Sequence, residues 1–283
     1  MNKKKIDTIN FFHKRVILRT DYNVPMHNGI ITSTNRIDAS LKTIKFILNK
    51  KPTKIVIISH RGRPKSSSDN LTLAPIKYYL EEKLKTKIHF TNLYDYLSSE
   101  CHLIPEKIVL LENIRYYPEE TQILSTTNNF RKRLTDLGDV FVNDAFGCCH
   151  RAHSSIVGIN TNEKCCGFLI EQEVLYLKNI FRNTGNFTLI IGGSKISDKI
   201  QLINNLIPKV NNILIGGGMA FTFLKYFGTK IGNSLFDKPG YESVSQIMEN
   251  AVKYKTNIIL PNDFICNDKF ANGGNVVYRD SSL

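Results

Sequence analysis

Asp21, Asn23, His60, Arg63, Arg115 and Arg151 each follow a short apolar run. Their chemistry suits a small molecule that carries phosphate together with carboxylate or hydroxyl groups. Arginine pairs bidentately with either anion through its fixed fork of donors, whereas lysine acts more as a point charge. Arginines in such places can instead satisfy buried carbonyls, an alternative that loses weight when several stand at equivalent positions. Arg36 joins them from the first turn of an amphipathic segment, where a cation runs against the helix dipole and a functional use is favoured. A second group is Gly192, Gly193, Ser194 and Lys195. Its glycines let the backbone approach a ligand, and a helix after them would offer free amide N–H groups to an anion. Lys195 and Lys199 lie one turn apart and can each reach a phosphate, while Asp198 can face a magnesium ion or its water shell. Gly216, Gly217 and Gly218 either seat a flat base or only allow close helix and sheet packing. Neither group spells a P-loop or a dinucleotide fingerprint. No nucleophile and base pair stands out, and His60, His150 and His153 serve equally as acid–base groups or as hydrogen-bond donors.

These side chains must be positioned by an alternation of strands and helices. Val16 to Leu18, Ile55 to Ile58, Lys87 to Phe90, Lys107 to Leu111 and Val140 to Val142 read as strands. Between them, Asn35 caps a helix with the face Ile37, Leu41, Ile44 and Leu48, Thr72 caps one with Leu73, Ile76, Leu80 and Leu84, and Phe130, Leu134 and Leu137 make a third. Ile170, Val174, Leu177 and Phe181 recur at helical spacing, which predicts a hinge helix over 170–184. The later part repeats the pattern: strand Phe187 to Ile191, helix Ile196 to Leu206, strand Ile213 to Ile215, a helix through Phe223 and Phe227, a helix Val244 to Val252 and strand Asn257 to Leu260. After Phe264 only Val276 to Tyr278 looks strand-like. The expectation is an α/β protein of two Rossmann-like lobes with mainly parallel sheets, 1–169 and 185–283, joined by the hinge helix, the second lobe incomplete. In open parallel sheets ligands bind beyond the carboxyl ends of the strands, so the residues above converge on one edge.

Composition sets the outer limits. The 283 residues are 42% hydrophobic and 22% charged, with a formal net charge of +13. That balance fits an anionic partner, yet no arginine-rich tail or zinc-finger spacing directs it to nucleic acid. MNKKKIDTINFF lacks an apolar h-region, and no run of 18 apolar residues exists, so neither a secretory signal nor a membrane span is expected. The adjacent cysteines Cys148, Cys149 and Cys165, Cys166 lack the spacing of a zinc knuckle and read as ordinary thiols in a reducing compartment, here the cytoplasm.

Taken together, RTDYNVP at 19–25, SHRGRP at 59–64, LLENIRYYPEE at 110–120, NDAFGCCHRAHSS at 143–155, GGSKISDKIQLINNL at 192–206 and GGGMAFTFLK at 216–225 resemble the phosphoglycerate kinases, in that family's order. The resemblance implies a glycolytic kinase that moves a phosphoryl group between 1,3-bisphosphoglycerate and ADP, with Mg2+. Asp21 and Asn23 would hydrogen-bond the glycerate, and Arg36, His60, Arg63, Arg115 and Arg151 would bind its carboxylate and phosphate. Gly193, Ser194, Lys195 and Lys199 would line the nucleotide phosphates, with Gly217 near the adenine and Asp198 near the metal. Arg36 and Lys195 would act on the transferring group itself, and hinge closure would bring the two lobes together. The family's full-length members imply a monomer.

Two departures are small: Arg61 stands where leucine is usual and Ser194 where alanine is usual. A larger one is that the family continues for roughly 130 residues, a span that includes its main metal-placing aspartate. The resulting expectation is a weakly active or inactive chain whose uncovered second sheet favours association. Two other classes of function stay open. One is a non-catalytic phosphoglycerate-binding remnant, and the other is a basic RNA-associated protein on an enzyme scaffold.

Overall fold

The computed structural model describes residues 4–66, 70–98, 103–180, 185–269 and 273–280. It divides into two compact units, 1–177 and 178–283.

In the first unit the strands are β1 (Arg15–Arg19), β2 (Met26–His27), β3 (Ile30–Ile31), β4 (Lys54–Ile58), β5 (Ile88–Thr91), β6 (Ile108–Leu111), β7 (Val140–Asn143) and β8 (Glu163–Cys166). The helices are α1 (Asn35–Asn49), α2 (Ala74–Leu84), α3 (Leu93–Ser98), α4 (Thr127–Asp136) and α5 (Ser154–Val157), and α6 (Phe168–Ile180) runs across the boundary at residue 177. Six strands pair in the order β5-β6-β4-β1-β7-β8, all parallel. Helices cover both faces, which is why these strands read as continuous apolar runs. Successive side chains alternate between the faces. Val16, Leu18, Ile55, Ile57, Val140 and Val142 pack with Ile37, Ile44, Ile76 and Leu80 from α1 and α2. Ile17, Val56, Ile58 and Phe141 pack on the other face with Tyr96 of α3 and Phe130 and Leu134 of α4. Each of these buried side chains contributes about 1.5–3 kcal/mol. From β1 the chain runs to one side through β4, β5 and β6, then returns to β7 on the other side. The carboxyl ends of β1, β4 and β7 therefore border a topological switch point, the place where open α/β sheets bind ligands.

The second unit holds β9 (Thr188–Gly192), α7 (Ile200–Leu206), β10 (Asn212–Gly216), α8 (Met219–Tyr226), α9 (Lys238–Tyr241), α10 (Val244–Tyr254) and β11 (Asn257–Ile259). A further pair of strands, β12 (Asp263–Asn267) and β13 (Val276–Asp280), follows. A parallel sheet β11-β10-β9 buries Ile191, Ile213 and Ile215 against Ile203, Phe223 and Ile247 of the helices. Its other face leaves Ile190 77% exposed and Ile259 46% exposed.

Several boundaries differ from the sequence pattern. The cap of α1 is Thr34, one residue before Asn35; its hydroxyl donates to Asp38 at 2.7 Å, so no side chain caps an amide there. The helix expected from Ile196 begins at Ile200, because residues 197–199 form a turn whose Lys199 amide donates to the Ile196 carbonyl. Asp263–Asn267, which shows no strand pattern, is held as β12 by antiparallel pairing with β13. The hinge helix buries Ile170, but Leu177 is 43% exposed, and Phe181 lies outside the described residues.

Candidate functional site

Four strand ends of the first unit deliver the polar groups. The loop after β1 carries Asp21, whose carboxylate accepts from Arg36 Nη1 of α1 at 2.9 Å and from the Asn23 amide at 3.1 Å. Asn23 in turn accepts the Gly62 amide at 2.8 Å, which ties the β1 loop to the loop after β4. Gly62 has a left-handed φ of 62°, and a Cβ there would meet Leu71 at 2.8 Å, so this turn requires glycine. Arg115, beyond β6, grips the Gly62 carbonyl at 2.6 Å, while its buried Nε has no hydrogen-bond partner among the described residues. Arg63, Arg115 and Arg151, with Pro64, Thr121 and His153, line one open cleft of about 330 Å³. An anion in that cleft meets three guanidinium groups.

His60 lies behind the Asp21 loop and is 2% exposed. Burial, followed by the fields of Arg19 and Arg115, drives its pKa down to about 2. His153 is lowered to about 4, again by burial first and then by the surrounding arginines. Both rings are neutral at ordinary pH, so they act as hydrogen-bonding groups and not as cations. Asp21, His60 and Cys148 each offer a donor atom within 4.8 Å of the others. They do not form a good metal centre. Arg19 Nη2 approaches His60 Nδ1 at 3.3 Å, so a fixed guanidinium already faces one ring nitrogen and its charge opposes a cation beside it.

Sequence reasoning missed the supports of this site. Arg19, the last residue of β1, is fully buried and donates to Ser155 Oγ at 2.7 Å. Glu120, 1% exposed, accepts from the Ser155 amide and hydroxyl at 2.8 and 2.6 Å. Burial raises its pKa, against the opposing pull of Arg19. Asn113 donates to the carbonyls of Arg61 and Leu71 and fixes both ends of the loop they bracket. Asp144, buried by β7, accepts from the Leu169 and Ile170 amides at the start of α6 and from Thr43. An unpaired-looking polar residue beside an apolar run was the available signal, and the partners lie too far along the chain to be inferred.

In the second unit β9 and β10 end side by side, with Gly192 opposite Gly216. Gly217 has φ 68°, and a Cβ there would lie 3.0 Å from the Gly193 carbonyl oxygen. Met219 donates its amide to that same carbonyl at 2.8 Å. The two glycine loops thus pack backbone to backbone, with the Lys199 chain running over Gly193. Ser194, Lys195 and Asp198 are exposed beside them. Asp237, absent from the sequence expectations, accepts the Ser197 amide at 2.8 Å and so fixes the loop after β9. Burial raises its pKa, but hydrogen bonds from Ser197, Gly240 and Ile196 outweigh this and leave it below the ordinary value.

The family model described as phosphoglycerate kinase matches residues 6–282. The phosphoglycerate kinase of Funneliformis mosseae is 42% identical over 98% of this chain and 71% of its own length. That of Saccharomyces cerevisiae is 41% identical over 97% and 70%. Among solved structures, phosphoglycerate kinase from Coxiella burnetii aligns with a TM-score of 0.80 and 33% identity, covering 99% of this chain and 71% of that one. The enzyme from Pyrococcus horikoshii aligns with a TM-score of 0.76 and 26% identity, covering 98% and 70%.

Proposed function

Because this chain belongs to the phosphoglycerate kinase family, we propose that its first unit binds 3-phosphoglycerate or 1,3-bisphosphoglycerate and its second binds ADP or ATP. The family's reaction is reversible phosphoryl transfer between 1,3-bisphosphoglycerate and ADP. One observation carries the assignment: Arg63, Arg115 and Arg151 from separate strand ends face a single cleft, beside the linked Asp21, Arg36 and Asn23. Three guanidiniums suit phosphate and carboxylate; Asp21 and Asn23 suit a hydroxyl.

The acceptor oxygen is already ionised in both directions, on the β-phosphate or on the carboxylate, so the chain needs no general base. What it must supply is cancellation of charge on the transferring group. Arg36, 53% exposed at its side chain, and the exposed Lys195 are the residues we assign to that task. Gly193, Ser194 and Lys199 would hold the nucleotide phosphates, with Gly217 toward the base. The backbone-to-backbone glycine contact fits this role, since a Cβ at Gly217 would fill the approach. Magnesium fits as a passenger on those phosphates, where it would neutralise their charge. Among the described residues of this unit the only carboxylate we assign toward its water shell is Asp198. The reaction places the protein in glycolysis and, on this reading, in the cytosol.

Steady-state transfer from 1,3-bisphosphoglycerate to MgADP tests the proposal. Arg36→Ala and Lys195→Ala are each expected to lower kcat on the order of 10² or more. Turnover that neither substitution changes would remove both residues from the reaction. A folded chain without turnover that still binds 3-phosphoglycerate would restrict the function to substrate binding.

A further inference from the structure

His60 stands among an unusual number of charged and titratable groups. Arg19 faces it from β1, Asp21 and Arg36 from the β1 loop and α1, Arg115 from beyond β6, and Cys148 and His153 from the segment after β7. Glu120 stands behind Arg19, with Oε1 at 3.8 Å from Nη2. Cys148 Sγ is 3.9 Å from both ring nitrogens, and Asp21 Oδ1 is 3.9 Å from Nε2, so neither holds the ring by a short bond. Arg19 is the closest of these contacts and is itself fixed. Its Nε donates to Ser155, its Nη1 to the Thr20 carbonyl, and its Nη2 points at His60 Nδ1.

We propose that Arg19, braced by Ser155 and Glu120, is a positioning residue that fixes His60 as a neutral imidazole with its proton on Nε2, a standing donor toward bound phosphoglycerate. The substrate named here rests on the function proposed above; the hold of Arg19 on His60 does not. A guanidinium has no lone pair and cannot lose a proton in a protein, so the nitrogen it faces must accept. A proton on Nδ1 would set two donors against each other in a dry pocket. The ring therefore keeps one tautomer while pH crosses the usual histidine range, and its bond to substrate does not switch with it. Lysine cannot replace this device. Its ammonium is a single point, whereas the fork serves Ser155, Thr20 and His60 at once.

Long-range proton–nitrogen correlation spectra of the full, ligand-free chain between about pH 5.5 and 8 read the tautomer directly. The expected result is an Nε2–H pattern for His60 that does not change with pH. An Nδ1–H pattern, or a titration within that window, overturns the proposal, and this holds even where a variant fails to fold. In Arg19→Lys, with folding checked by circular dichroism, burial still keeps the ring neutral, but the Nε2–H pattern is expected to give way to a mixture with the Nδ1–H form, because the fixed donor facing Nδ1 is gone. A folded Arg19→Lys chain with an unchanged His60 overturns it as well, since lost packing alone would not move a tautomer. Adding 3-phosphoglycerate to the native chain tests the parent reading separately. A shifted His60 Nε2 signal supports the donor role; an unshifted signal with the tautomer intact overturns that role and the substrate assignment, and leaves only the Arg19 contact standing.

Discussion

At the scale of single residues, the three arginines of the cleft do not have equal duties. Among the described residues the Arg151 side chain hydrogen-bonds His150 alone, at 3.3 Å, whereas Arg115 holds the Gly62 carbonyl at 2.6 Å. Arg151→Ala is therefore expected to weaken 3-phosphoglycerate binding by about 1.5–3 kcal/mol, roughly ten- to a hundredfold, with unchanged thermal stability. Arg115→Ala should lose comparable affinity and stability together. Calorimetric titration alongside thermal unfolding checks both, and equal behaviour of the two variants would contradict this division. His60, Arg63, Arg115 and Arg151 were legible in the sequence because cations and imidazoles after apolar runs are unusual. Arg19, Glu120 and Ser155 were not, since Arg19 and Ser155 are 136 residues apart and only the sheet brings them together.

At the scale of elements, the alternation of strands and helices was legible wherever burial on both faces produced a continuous apolar run, as in β4 and β6. It failed where a long-range partner decides the conformation. β12 exists through its ladder with β13, and the late start of α7 follows from the turn at residues 197–199, whose Ser197 amide is taken by Asp237. The glycines are the clearest case of an element fixed by space. Gly217→Ala puts a methyl group in a left-handed position 3.0 Å from the Gly193 carbonyl, at a cost of about 1–2 kcal/mol before the clash is counted. Weaker ADP binding with unaltered 3-phosphoglycerate binding is the expected outcome, read by separate titrations with each ligand. A Gly217→Ala chain that binds ADP as the native chain does would remove this loop from the nucleotide site. Asp144→Ala should remove the amide contacts at the start of α6 and cost about 1–2 kcal/mol in denaturant unfolding. An unchanged unfolding midpoint would show that Thr43 and water replace it.

At the scale of the whole molecule, net charge and buried histidines act in the same direction. The chain carries +13 at neutral pH, so each proton taken up on acidification adds to a positive excess. His60 is held at about 2 and His153 at about 4 in the folded chain, against an ordinary 6.5 when unfolded. Between those values the unfolded chain binds protons that the folded chain refuses, so stability falls as pH drops below 6.5. Each histidine contributes a slope of about 1.4 kcal/mol per pH unit, which ends near pH 4 for His153 and near pH 2 for His60. Glu81, Asp139 and Asp237 have lowered folded values, and their stabilisation is also lost as pH falls toward them. Glu120 and Asp144 oppose the trend, since burial raises them and the folded state takes up their protons first. That uptake begins above the ordinary carboxylate range and offsets part of the slope that the histidines set between pH 6.5 and about 5. The unfolding midpoint is accordingly expected to fall through that interval, and His60→Gln, which cannot charge, should flatten the fall by about half. A midpoint constant from pH 7 to 5, or an undiminished slope in His60→Gln, would show that His60 takes up its proton without unfolding the chain.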